Sequence, residues 1–125
     1  MKVRPLDYLW IFLTISLTVY GQIILKWRME RFGGMPAELA GKALFVLRVL
    51  TDPGVFSGIL SAFLASVCWI VAMTKFELSH AYPFVSLCFV AVTIASVWLF
   101  GEQLSLLKIA GVAFIVFGTI LASQG

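Results

Sequence analysis

Four apolar stretches, residues 8–25, 55–74, 81–100 and 106–122, fill most of this 125-residue chain, and none carries a formal charge through its middle. About 20 apolar residues of helix cross the hydrocarbon core of a bilayer. Each stretch is therefore long enough to span one. Little chain is left for either side, so function is confined to the bilayer and its two faces.

Hydrophobic residues make up 62% of the chain and charged residues 12%, where a soluble domain is nearer half and a quarter. In water, four such helices would have no polar residues left to cover their outside. The net charge of +3 comes from nine Lys and Arg. They lie mostly at span ends, where cations meet headgroups. No basic patch alternates with exposed aromatics, so nucleic acid is not an indicated partner. Cys68 and Cys88 fall inside spans and read as buried thiols rather than a disulfide or metal pair. The start, Met1-Lys2-Val3-Arg4-Pro5, is basic like a signal peptide. The apolar run after it is too long, however, and no small-residue cleavage site follows, so it reads as a retained helix.

The first span is predicted over about 6–26, with Tyr8 and Trp10 near one interface and Trp27 near the other. Lys26, Arg28, Glu30 and Arg31 close it, and Gly33-Gly34 break the chain. Residues 36–50 are too charged to span. At 100° per residue, Glu38, Gly41, Lys42 and Arg48 fall on one side, and Leu39, Ala43, Val46, Leu47 and Leu50 on the other. This is the pattern of an amphipathic helix lying in the interface, with Glu38 and Lys42 spaced to pair. Asp52-Pro53-Gly54 turns into the second span, about 55–74, which has a small-residue face of Ser57, Ser61, Ala65, Cys68 and Ala72.

A short polar turn leads to the third span, about 81–100. There Pro83 is expected in the first turn, and Tyr82, Ser86, Phe89, Thr93 and Ser96 form one stripe. The first span has a comparable stripe in Thr14, Thr18, Gly21 and Gln22. After Gly101-Glu102-Gln103, Ser105 is the expected N-cap of the fourth span, about 105–122. There Gly111 and Gly118, seven apart on one face, suit close helix contact in a dimer. No internal repeat, linker or second domain is visible. The fold class is an all-α membrane protein: residues 1–125 form a single domain with four transmembrane helices plus an interfacial amphipathic helix between the first two.

No Asp, Glu, Lys, Arg or His lies deep within a span, so the titratable group that proton-coupled transporters place there is missing. There is no nucleophile–base constellation, no metal-ligand spacing and no glycine-rich phosphate loop. An enzyme, a metal site and a cofactor are therefore not expected. What remains is mild polarity within the spans and cations near the faces. Gln22 has four hydrogen-bonding sites and either lines a cavity or bonds a neighbouring helix. Lys26, one turn further on, and Arg48, on the interfacial helix, are placed to meet a lipid phosphate or to anchor their helices. Lys75 and Lys108 read as anchors. Tyr82-Pro83 is placed to shape an entrance, and Glu102 to meet a cationic group.

Four segments carry a family resemblance: Gly21-Gln22-Ile23-Ile24-Leu25-Lys26, Ala81-Tyr82-Pro83-Phe84-Val85-Ser86, Gly101-Glu102-Gln103-Leu104-Ser105, and the run from Gly111 to Gly118. In this order on four short helices, they resemble the small multidrug resistance and EamA-like branch of the drug/metabolite transporter superfamily. Small multidrug exporters have a glutamate where this chain has Thr18, a tryptophan where it has Val85, and a Gly-x-Gly bend where it has Leu87-Cys88-Phe89. Each departure removes a part of drug/proton exchange. The chain is more similar to the small flippase subunits that move undecaprenyl-phosphate-linked aminoarabinose across the bacterial inner membrane. Those have Gly-Gln or Ala-Gln in the first helix without an acid, and one subunit type has an extra stretch between helices 1 and 2. Ser66-Val67-Cys68-Trp69 and Leu78-Ser79-His80-Ala81-Tyr82 add to the likeness.

The resemblance implies a polyprenyl-phosphate-linked sugar lipid as the partner. Its tail stays in the bilayer while the phosphosugar passes along Thr18, Gln22, Lys26, Arg48, Tyr82, Ser86 and Glu102. Four short helices hardly enclose such a path, so a homodimer or a heterodimer with a related small subunit is expected. The connections after spans 1 and 3 hold six Lys and Arg (Lys26, Arg28, Arg31, Lys42, Arg48 and Lys108) against three on the other side, which favours both termini outside. The competing readings are a small-molecule or cation exporter and an assembly subunit of a membrane complex.

Overall fold

A computed structural model of the chain describes residues 4–34 and 36–125. A 3₁₀ turn, Pro5–Asp7, leads into α1 (Tyr8–Phe32). The chain continues through α2 (Leu39–Leu50), α3 (Pro53–Met73), α4 (Leu78–Val85), α5 (Leu87–Phe100) and α6 (Leu106–Gln124). Four spans are long and apolar enough to cross a membrane: Pro5–Phe32, Pro53–Met73, Leu78–Phe100 and Leu106–Gln124. The third consists of α4 and α5 end to end. The protein is thus an all-α, multi-pass membrane protein with an extra helix, α2, between its first two spans, the architecture implied by the sequence.

The helix ends follow local chemistry. Asp52 caps α3: its carboxylate accepts from the Val55 amide at 3.0 Å, and Pro53 takes the first helical position. Ser105 caps α6 as expected, accepting from the Lys108 amide at 3.1 Å. Gly101 stops α5 in the left-handed region, φ +66°, which glycine adopts without strain.

The centre of the fold is the crossing of α1 on α3. A Cβ at Gly21 would lie 3.0 Å from the Gly58 carbonyl oxygen, and one at Gly58 would lie 2.8 Å from Ile24 Cγ2. The two backbones touch because neither position has a side chain. The predicted small face of the second span is the surface used. Ser61, Ala65 and Ala72 are buried, and Ser61 Oγ donates to the Leu17 carbonyl at 2.7 Å. Tyr20 and Ser57 share a hydroxyl hydrogen bond of 3.1 Å. Gly58, at the closest approach, was absent from the predicted face.

At one end of the bundle, Ile11, Ala72, Phe76 and Ala81 form a buried cluster. Tyr8 Oη lies 3.0 Å from His80 Nε2, and the His80 ring stacks on Phe76 at 5.8 Å. At the other end, Arg28 forms a bidentate pair with Asp52, with Nε to Oδ2 at 2.8 Å. The Asp52 side chain is only 8% exposed. Gly54 makes room for the arginine stem, since a Cβ there would lie 2.7 Å from Arg28 Cδ. Hydrogen bonding from Arg28 holds the Asp52 carboxyl below the usual carboxylate range.

Helix α2 departs from its predicted pattern in two ways. It starts at Leu39, so Glu38 is an extended N-cap residue and forms no ion pair with Lys42. Gly41, assigned to the polar side, instead sits on a stripe with half-buried Phe45 and buried Val49. A Cβ on Gly41 would meet Pro36 at 3.0 Å, and Phe45 packs edge-on against Phe32 at 6.2 Å. Leu39, Leu44, Val46, Leu47 and Leu50 remain exposed for lipid. Cys68 and Cys88 are free and half-buried rather than fully buried.

Candidate functional site

The third span is broken in its middle. Helix α4 begins at Leu78, not at residue 81, so Pro83 is its sixth residue rather than part of the first turn. A proline there has no amide to give the carbonyl four residues back and crowds it. One turn later the helix yields at Ser86. The Pro83 carbonyl accepts from the Ser86 amide at 3.1 Å, and the Phe89 amide donates to the Ser86 carbonyl at 3.1 Å. The Thr119 hydroxyl of α6 donates to the Ile115 carbonyl of its own helix at 2.8 Å and also approaches the Pro83 carbonyl at 3.3 Å, so the break is a satisfied joint with a hydroxyl of a different span beside it.

This joint forms one wall of a groove of about 430 Å³, lined by Thr18 and Gln22 of α1, Tyr82 and Val85 of α4, Ser86 at the break, and Cys88, Phe89 and Val92 of α5. The α1–α3 crossing explains how the facing wall is presented. Thr14 and Gly21, placed with Thr18 and Gln22 in one stripe, turn into α3: Thr14 is buried, its hydroxyl donating to Trp10 and approaching the Ala65 carbonyl at 3.5 Å. Thr18 and Gln22 lie further round the helix and face α4 and α5. A neighbouring groove of about 460 Å³ shares Thr18, Tyr82 and Val85 and extends to Ser66 and Trp69 of α3. Tyr82 stands between them, its ring edge-on to Trp69 at 6.1 Å.

Four of the predicted path residues, Thr18, Gln22, Tyr82 and Ser86, thus converge. The other three do not join them. Lys26 points along α1 to Glu30, 4.0 Å away, and is half exposed. Arg48 is exposed on α2. Glu102 lines a separate pocket of about 330 Å³ with Phe89, Thr93, Ser96 and Lys108. Lys108, read from sequence as an anchor, places its ammonium over the Phe89 ring at 5.8 Å. Gly111 and Gly118 lie on the exposed side of α6, with nothing within 4 Å of an added Cβ. Among the described residues no cluster of His, Cys, Asp or Glu is placed to hold a metal.

Sequence reasoning missed the Arg28–Asp52 pair. The cap itself was legible, since Asp-Pro at a helix start is an N-cap followed by an N1 proline. The arginine 24 residues earlier was not, because only the α1–α3 crossing brings it there.

The groove is apolar over most of its lining, with Thr18, Gln22, Tyr82 and Ser86 as its polar side chains and no Asp, Glu, Lys, Arg or His among the residues that line it. The chain belongs to the EamA-like transporter family, which it matches over residues 8–124. It is 32% identical over 124 residues to a probable 4-amino-4-deoxy-L-arabinose-phosphoundecaprenol flippase subunit ArnF of Photorhabdus laumondii, covering 94% of this chain and 96% of that one. The proteins of the same description from Proteus mirabilis (34% over 121 residues; 94% and 91% covered) and Erwinia tasmaniensis (33% over 113 residues; 86% and 87%) are similarly related. No solved structure matches the chain.

Proposed function

We propose that this protein is a flippase subunit of the bacterial inner membrane that carries an undecaprenyl-phosphate-linked sugar, of the aminoarabinose kind, from one leaflet to the other. The groove beside the broken third span carries this reading, because four uncharged polar side chains converge in an otherwise apolar lining, and the substrate named for the similar ArnF proteins gives the headgroup. The isoprenoid tail stays in lipid. The headgroup moves along Thr18, Gln22, Tyr82 and Ser86, whose hydrogen bonds replace part of its hydration. An uncompensated charge at mid-bilayer costs several kcal/mol, so the phosphate also meets a cation at a membrane face. Transporters commonly build such sites from discontinuous helices at the contact between repeats. The protein acts by translocation rather than as an enzyme.

The groove is open along its side, so a second small subunit, either a copy or a sister chain, completes the path. The Gly111–Gly118 face of α6 is the contact we assign to it. The charge asymmetry favours a cytoplasmic location for the end bearing Arg28, Arg48 and Lys108.

The reading is tested in proteoliposomes carrying the protein, with its sister subunit where one is encoded beside it. The assay follows the accessibility of an amine-bearing undecaprenyl phosphosugar in each leaflet. Gln22→Leu and Ser86→Val should each slow its transfer about tenfold or more while leaving the amount of folded protein unchanged. Electrogenic or proton-coupled cation export, with no effect of the lipid, would replace this reading with that of a small-molecule exporter.

A further inference from the structure

Lys108 and Glu102 line one pocket and do not touch. The pocket lies between the C-terminal end of α5 and the start of α6, is about 330 Å³, and adds Thr93 and Ser96 to these two charges. No ion pair joins the carboxylate and the ammonium, although both project into the same small space; Lys108 rests on the Phe89 ring instead. Two opposite charges held close by structural need would be expected to pair. The left-handed Gly101 turns the chain, and the Glu102 amide donates back to the Ser96 carbonyl at 3.3 Å, fixing where the carboxylate starts. Ser105 caps the helix through the Lys108 amide itself, fixing where the lysine starts. The Thr93 hydroxyl donates to the Phe89 carbonyl at 2.7 Å and keeps its lone pairs for a ligand.

The pocket is also continuous with the headgroup path. Phe89 and Val92 line both the pocket and the Thr18–Gln22–Ser86 groove. A group leaving the groove past Phe89 enters the space between the two charges. Lys108 borders this route, whereas Lys26 and Arg48, the two cations that the sequence places to meet a phosphate, line neither cavity.

Resting on the flippase reading, we propose that this pocket is the headgroup subsite that selects an amino sugar phosphate lipid: Lys108 takes the phosphate, Glu102 takes the protonated amine, and Thr93 and Ser96 take ring hydroxyls. A headgroup with both signs fits it, and a neutral sugar on the same phosphate satisfies only one end. A carboxylate facing a bare phosphate repels it, so undecaprenyl phosphate without sugar is disfavoured. The arrangement makes specificity a matter of two separated contacts rather than of one cation.

The experiment measures binding of three lipids to the full-length protein in detergent by native mass spectrometry. The lipids are an undecaprenyl phosphosugar bearing an amine, its hydroxyl counterpart, and undecaprenyl phosphate. Wild type should prefer the amine-bearing lipid over the hydroxyl lipid by roughly fivefold, the scale of one exposed ion pair. Glu102→Gln should abolish that preference while leaving the hydroxyl lipid bound as before. Lys108→Ala should weaken both sugar lipids several-fold with the preference retained, and Lys108→Arg should restore them. A preference that survives Glu102→Gln, or unchanged binding in Lys108→Ala, overturns the subsite and leaves the flippase reading standing. Failure of wild type to bind any of the three lipids overturns the flippase reading itself.

Discussion

Replacing Gly58 by alanine tests whether α1 and α3 meet backbone to backbone at Gly21 and Gly58. The new methyl group would sit 2.8 Å from Ile24 Cγ2 and 3.2 Å from the Gly21 carbonyl oxygen. Ordinary contact needs at least about half an ångström more than the first of these. Ile24 is β-branched, and in a helix its χ1 has one strongly preferred rotamer, so the side chain cannot simply swing away. The helices must part. Forced overpacking of this kind costs typically about 1–3 kcal/mol. Parting the helices also stretches the 2.7 Å Ser61–Leu17 hydrogen bond, a class of contact worth about 0.6 kcal/mol on average in membranes. Against this stands the helix preference of alanine over glycine, about 1 kcal/mol at most. The net expectation is a loss of about 1–2 kcal/mol. Gly21→Ala should cost a similar amount, since its methyl group meets the Gly58 carbonyl at 3.0 Å. The double variant should cost less than the sum, because one separation relieves both clashes. Gly111→Ala is the control: its methyl group meets nothing within 4 Å, and the isolated subunit should be unchanged or slightly more stable. The assay is reversible unfolding in mixed micelles of mild detergent and dodecyl sulfate, followed by tryptophan fluorescence. Equal stability of Gly58→Ala and Gly111→Ala would refute the crossing as described.

Thr119→Val keeps the shape of the side chain but removes the hydroxyl that reaches the Pro83 carbonyl. It should cost about 0.5–1 kcal/mol in the same unfolding assay and quicken amide exchange at Ser86 and Phe89, read by hydrogen-exchange mass spectrometry. The Arg28–Asp52 pair sets an acid limit. The Asp52 pKa is depressed in the fold, so its stabilisation is complete above the unfolded value, near pH 4. It is lost only as pH falls through the lower folded value. Stability contributed by this group should therefore be flat from about pH 5 to 8 and fall below about pH 4. Asp52→Asn should be less stable at neutral pH and lack that acid step in a pH series of the unfolding assay.

That the chain makes four spans was legible because hydropathy over some 20 residues integrates many side chains, and no single one decides it; where each ends was less so, since α1 runs on to Phe32, past the expected end near residue 26. The Ser61 face of α3 was legible for a similar reason: small residues at helical spacing mark close packing wherever the partner lies. The joint at Ser86 was not. It depends on where α4 begins, and moving that start from residue 81 to Leu78 turns Pro83 from a harmless N-terminal residue into an interior one. The stripe of Thr14, Thr18, Gly21 and Gln22 was read as one surface. The crossing divides it, because Gly21 and Thr14 dock on α3 while the other two lie some 60° away. Of the cations, sequence singles out Lys26, at the rim of the polar stripe of the first span, and Arg48, on the interfacial helix. In the fold neither lines the groove or the adjoining pocket, whereas Lys108 lines that pocket and reaches Phe89 from a neighbouring helix.

The clasp between Arg28 and Asp52 has a consequence for the segment it encloses. Helix α2 lies between two points of the bundle that are already fastened together. The excursion works like a pennant on a fixed staff. Its lipid-facing residues can be rewritten without altering the register of the two spans that it joins, whereas Phe45, packed on Phe32, and buried Val49 belong to the packing and must stay.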